Sequence, residues 1–203
     1  MLDQNALAED RIFCSVSAFA VSPDGNKLAY SVDYDGDEAY TVHIKDLENK
    51  KEYPETIPNA YGSVYFHTGI EWANDNETLF YGILDEAKRP FKLFRHKIGT
   101  DPSQDVLIYH EQDETFFLFF HKTRDDLYII TDHSSSLTSE VHYLPADTPE
   151  AELRVVSPRR QGIEYSVNHH KGIFFILTNE NAKNIKLVKT PVEDPNHEHW
   201  QEV

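Results

Sequence analysis

Four short apolar runs at near-constant spacing constrain this chain most. Lys27–Val32 (KLAYSV), Thr78–Leu84 (TLFYGIL), Leu127–Thr131 (LYIIT) and Ile173–Thr178 (IFFILT) begin 51, 49 and 46 residues apart. Each is rich in Tyr, Phe, Ile, Val and Leu and is bounded by turn residues, which is how a buried strand reads, and none is long enough for a good helix. A period of roughly 40 to 50 residues is that of propeller repeats. A helical solenoid would need a 3.6-residue periodicity, which these runs lack.

Each run has a strand-like segment before it: AFAVS, GIEWA, FFLFF and YSVNH. Turns such as Pro23-Asp24-Gly25, Asn74-Asp75-Asn76 and His170-Lys171-Gly172 separate the two and mark hairpins. After each comes a more polar alternating segment (YTVHIKDL, KLFRHKIG, SEVHYLPA, NIKLVKTP), and in three repeats a fourth (KEYPETI, DVLIYH, LRVVS). Four antiparallel strands per repeat make a propeller blade. The expected fold is all-β, with about four consecutive four-stranded antiparallel blades over residues 13–57, 65–110, 114–158 and 163–203. The segment before Phe13 reads as an outer strand or connection of a preceding unit, and the last repeat reaches Val203 where its outer strand should start. Propellers hold roughly 4 to 8 blades, so four could close on themselves, but the ragged ends of the repeat favour an arc of a larger propeller, with bare end faces through which the chain self-associates end to end.

Charge narrows the partners. Nineteen Lys and Arg against thirty-five Asp and Glu give a net charge of −16. That field repels phosphate backbones and anionic lipid, which disfavours nucleic-acid and membrane partners and favours cationic peptides. No apolar stretch approaches the roughly 18 residues of a membrane span, and the sequence MLDQNALAEDR lacks a signal peptide's basic flank and apolar run. With Cys14 as its one cysteine, the chain reads as a protein made without export, in the cytoplasm.

The stretches Ser22–Leu47, Trp72–Thr100 and Ser157–His169, with Glu140 in LTSEVHYL, resemble the propeller of the oligopeptidase B branch of the prolyl oligopeptidase family. The most specific is Trp72–Thr100, with Asp85-Glu86-Ala87 and Arg89-Pro90 ahead of Arg95-His96. The likeness runs from Leu2 to the last residue. It implies a seven-bladed propeller whose partner is a C-terminal α/β-hydrolase domain, absent from this sequence, that cleaves short peptides after Arg or Lys. No serine here sits in G-x-S-x-G, so no catalytic residue is assigned and the chain alone is expected to be inactive. The resemblance implies that the propeller caps the active site and admits only short peptides. The rival reading is a free-standing interaction propeller without peptidase activity.

Candidate gating residues lie in two places. Asp85, Glu86 and Arg89 occupy the turn after the second run, and Arg159, Arg160 and Glu164 the connection into the fourth repeat, joined by Asp113 and Glu114 before the third. They are candidates for interdomain ion pairs, against a solvated surface of equal weight. The acidic turn Asp33–Glu38 lacks the EF-hand spacing, and His197-Glu198-His199 lacks H-E-x-x-H, so no metal and no cofactor is expected. Asp101, Asp105, Asp147, Glu150, Glu193 and Asp194 read as acids of the opposite turns. Trp72, Phe80, Phe117, Phe119, Phe174 and Phe175 read as packing between blades rather than a ligand cleft.

Overall fold

A computed structural model describes residues 2–62 and 69–203. The expected start of the second repeat at residue 65 lies outside the described residues. The chain divides into two compact units, Met1–His110 and Glu111–Val203.

The first unit holds β1 (Ser15–Val21), β2 (Lys27–Asp33), β3 (Tyr40–Asp46), β4 (Ile57–Ala60), β5 (Ile70–Trp72), β6 (Thr78–Leu84), β7 (Pro90–Lys97) and β8 (Val106–His110). Antiparallel pairing runs β1-β2-β3-β4 and β5-β6-β7-β8, and a bridge from Ala60 to Ile83 joins the two sets. The second unit holds β9 (Phe117–Lys122), β10 (Tyr128–Ser134), β11 (Ser139–Pro145) and β12 (Arg154–Ser157), then β13 (Tyr165–His170), β14 (Ile173–Thr178), β15 (Lys186–Pro191) and β16 (Gln201–Glu202). These form two separate four-stranded antiparallel sheets in chain order.

Turn chemistry explains the hairpins. Ser22 Oγ donates to Asp24 Oδ1 (2.6 Å) and accepts from the Lys27 N–H (2.9 Å), closing the β1–β2 turn around Gly25 at φ +77°. Thr123, Asp125 and Tyr128 repeat the same bonds between β9 and β10, at 2.9 and 3.0 Å. A short polar side chain that substitutes for a backbone turn partner is what Ser, Thr and Asp supply at such sites.

Alternation along the strands buries one sheet against the other within each unit. In the first, Ala18, Ala29, Val42 and Ile44 meet Ile70, Trp72, Leu79 and Tyr81. In the second, Ile130, Val141, Tyr143 and Val156 meet Tyr165, Val167, Phe174, Ile176 and Val188. Period-two alternation makes this possible because successive side chains leave opposite faces of a strand. The polar ends of the large rings are paired: Trp72 Nε1–H donates to the Ala20 carbonyl (2.9 Å) and the Tyr143 hydroxyl to the Val192 carbonyl (3.0 Å).

Three expectations differ from the structure. The segment before Phe13 is not an outer strand. Asp3 caps a short helix, α1 (Gln4–Leu7), by accepting from the N–H groups of Asn5 and Ala6, and Leu2 and Leu7 pack on Leu28, Tyr30 and Val32. Asp at an N-cap ahead of Gln, Asn, Ala and Leu favours that turn of helix over a strand. KEYPETI is a fourth strand only in part: Glu52 bridges to Lys45, flanked by bonds from the Asp46 N–H to the Lys51 carbonyl and from the Tyr53 N–H to the Ile44 carbonyl (2.8 Å each), and β4 begins at its last residue, Ile57. Pro54 has no N–H to give a ladder, and pairing resumes beyond it with a register shift between Tyr40 and Val42. Among the aromatics, Trp72, Phe80 and Phe174 are fully buried, but Phe117 is 44 % exposed and stacks on Phe119.

Candidate functional site

In the first unit, the β6–β7 turn is built by Asp85. Its Oδ1 accepts from the N–H groups of Ala87 and Arg89 (2.9 Å each) and its Oδ2 from Arg89 Nε (2.9 Å). Burial pushes the Asp85 carboxyl up, but the bonds from Arg89 and Ala87 outweigh it and hold the group below the usual carboxylate range. Arg89 is buried beside the Phe91 ring, 5.4 Å from its centroid, and Glu86 is exposed at the tip. Lys88 of this turn pairs with Asp37 of the β2–β3 turn at 3.4 Å, so the two turns open on the same edge of the unit. In that second turn Asp33 is 3 % exposed, and its carboxylate accepts from the N–H groups of Asp35, Gly36 and Glu38. Asp33 is thus a turn former rather than a solvated acid.

In the second unit, the connection from β12 to β13 carries Arg159, Arg160 and Glu164. Arg159 Nη2 donates to Glu111 Oε2 (2.7 Å) and Glu140 Oε1 (3.2 Å), while its backbone N–H donates to Glu140 Oε2 (2.8 Å). The guanidinium lies 4.0 Å from the Phe116 ring centroid. Burial acts to lower Arg159, but its two glutamates prevail and raise it further. Burial likewise pushes Glu111 up; bonds from His133, Arg159 and the Asp113 N–H overcome this and hold it at about 2. Arg160 pairs with Glu180 of the β14–β15 turn, 5.9 Å from the Trp200 ring. Glu164 is exposed and exchanges bonds with Asn179, and Asp113 forms a turn with Thr115.

Arg89, Arg159 and Arg160 therefore each hold a carboxylate of their own unit. The sequence reading missed Glu111, His133 and His142, which sit with Glu140 and Arg159. It also placed Asp105 among the acids of the turns without naming its partners. The Asp105 side chain is 2 % exposed, binds buried His96 Nδ1 (2.7 Å) and accepts from the Tyr81 hydroxyl (2.8 Å). No spacing signal marks either group, because three or four separated segments contribute to each.

Among the described residues, no group of three or more His, Cys, Asp or Glu is arranged to hold a metal ion. No described helix is long and apolar enough to cross a membrane. Ser157 Oγ lies 3.1 Å from His197 Nδ1, but Ser157 is fully buried and cannot meet a substrate.

The sequence matches, over residues 1–203, the family described as "Prolyl oligopeptidase, N-terminal beta-propeller domain". The chain belongs to this family. It is 39% identical to Protease 2 of Moraxella lacunata over 194 residues, covering 96% of this chain and 28% of that protein. It is 32% identical to dipeptidyl aminopeptidase BI of Pseudoxanthomonas mexicana, covering 100% of this chain and 27% of the relative. The structure of oligopeptidase B from Leishmania major superposes with a TM-score of 0.90 at 32% identity, over 99% of this chain and 28% of that one. This propeller chain thus spans little more than a quarter of the length of these relatives. The four-stranded antiparallel sheets are those of a β-propeller.

Proposed function

We propose that this propeller chain is the gating part of a serine oligopeptidase of the oligopeptidase B type, working with a C-terminal α/β-hydrolase domain. It caps the active site, so that only short or unstructured peptides reach it, and the enzyme cleaves them after Arg or Lys. The observation that carries this reading is the match over 96% of the chain to Protease 2, of which it covers 28%. Two further features support it. The net charge of −16 draws cationic peptides toward the propeller. Asp85, Glu86 and Arg89 in one unit, and Arg159, Arg160 and Glu164 in the other, occupy turns and connections of the kind that meet a second domain. We place the enzyme in the cytoplasm, where a lone cysteine stays reduced.

The test uses the full-length enzyme. Unstructured peptides should be cut after Arg and Lys, while the same bonds in a folded protein stay intact and the chain alone cuts neither. Equal cleavage of the folded protein would overturn capping, and indifference to Arg and Lys would overturn the substrate class. Glu86→Lys combined with Glu164→Lys changes two exposed acids. It should lower kcat/KM for basic peptides several-fold at low salt and much less at 1 M salt, where the Debye length is about 3 Å. An unchanged kcat/KM would remove these two residues from substrate attraction.

A further inference from the structure

The strongest unexplained feature is a closed ring of five side chains in the second unit, with the Thr131 hydroxyl bonded to it from outside. Glu111 precedes β9, Thr131 and His133 lie on β10, Glu140 and His142 on β11, and Arg159 follows β12. His133 Nδ1 lies 3.3 Å from Glu111 Oε2, and His142 Nε2 lies 3.4 Å from Glu140 Oε1. The remaining ring nitrogens, His133 Nε2 and His142 Nδ1, face each other at 3.1 Å, with Thr131 Oγ1 2.9 Å from the former. Arg159 closes the ring by holding both glutamates. The charged and titratable groups acting on the pair are Glu111, Glu140 and Arg159. His121 and Asp132 pair with each other elsewhere on the same sheet.

Proton counting decides the state of this ring. Two neutral imidazoles have two N–H groups for three contacts, one to each glutamate and one between the rings; the Thr131 hydroxyl donates to or accepts from His133 Nε2 as required and leaves His142 Nδ1 to the contact between the rings. If both donate outward, two lone pairs face at 3.1 Å. If one turns inward, a lone pair faces a carboxylate. A single added proton satisfies all three contacts and brings the charge of Glu111, Glu140, Arg159 and the pair to zero. A second added proton leaves two N–H groups pointing at each other, and breaks the contact between the rings.

We propose that the His133–His142 pair holds one shared proton as a structural counter-ion, making the Glu111–Arg159–Glu140 clasp a latch closed by one proton and loosened by none or by two. In that closed state the cationic ring donates one N–H to its glutamate and the other to the facing ring nitrogen, and the neutral ring donates its single N–H to the second glutamate. Burial and the neighbouring His133 hold His142 low, to about 4. Closing the latch ties the start of the unit, its β11 strand and the connection carrying Arg159 into one body.

The test is nitrogen-15 NMR of the imidazoles in the whole chain near neutral pH, with amide exchange at two sentinels. These are the Arg159 N–H, which donates to Glu140, and the Asp113 N–H, which donates to Glu111 (3.0 Å). One of the two rings should carry protons on both nitrogens and the other on one, with a coupling across the 3.1 Å contact. Exchange of both sentinel amides should slow to a minimum at intermediate pH and quicken at least about tenfold on either side. In His142→Gln, whose amide keeps a donor toward Glu140, the sentinels should lose the quickening on the acid side. Two singly protonated rings near neutral pH, or sentinel exchange that only follows the intrinsic rate, would overturn the proposal.

Discussion

Trp72→Ala is expected to lower the unfolding free energy of the first unit by about 3–5 kcal/mol, the usual range when a large buried aromatic is truncated. Trp72 is 1 % exposed and belongs to the buried core cluster of that unit. Its loss removes the packing of Ala18, Ala29 and Leu79 around one ring. It also strips the Ala20 carbonyl of the bond it accepts from Nε1–H. Trp72→Phe keeps most of the apolar volume and should cost about half as much, because only part of the cavity and the one hydrogen bond are lost. Urea denaturation followed by far-UV circular dichroism reads both. A loss below about 1 kcal/mol for the alanine variant would mean that the ring is not the keystone of that core.

The strands were legible in the sequence because their signal is local. KLAYSV, TLFYGIL and IFFILT bury one or both faces of a sheet, and Tyr, Phe, Ile and Val at such density mark that burial without reference to any partner. Turns such as Pro23-Asp24-Gly25 were legible for the same reason. The edges were less so. KEYPETI has the composition of a strand, yet Pro54 interrupts it, and where pairing resumes depends on β3, which a linear reading does not weigh. Nor could α1 be anticipated, since a helix of four residues has no period to detect.

The candidate residues divide along the same line. Asp85 and Arg89 are four residues apart and pair with each other, so the sequence located the turn but not that its charges are satisfied within it. Arg159 was found as a charge in a connection. Its partners Glu111 and Glu140, 48 and 19 residues away, become neighbours only when β9 to β12 form a sheet. His133 and His142 carry no motif at all. They meet because the β10–β11 register sets Thr131 opposite His142, and side chains at 131 and 133 share one face.

Arg159→Ala should be the most damaging single charge removal in the second unit, costing up to about 3 kcal/mol, the lower end for a broken buried pair because the arginine keeps partial exposure. The Glu111 side chain is 4 % exposed and that of Glu140 12 %, so neither carboxylate can recover its lost partner from water. Acid should reproduce the damage in two steps, and the sign follows from which form each group binds. His142, held to about 4 in the folded chain from an ordinary 6.5, contributes stability in full above about pH 6.5 and loses it as pH falls toward 4. Glu111, held at about 2 from an ordinary 4.5, contributes above about pH 4.5 and loses it as pH falls toward 2. Melting temperatures of the chain should therefore fall continuously from pH 6.5 to pH 2. The first part of that fall should flatten in His142→Gln, and the second in Glu111→Gln at the expense of lower stability at pH 7. A curve flat between pH 6.5 and pH 4 in the unsubstituted chain would show that burial does not hold the His142 imidazole in its neutral form. A second part of the fall as steep in Glu111→Gln as in the unsubstituted chain would assign it to other carboxylates.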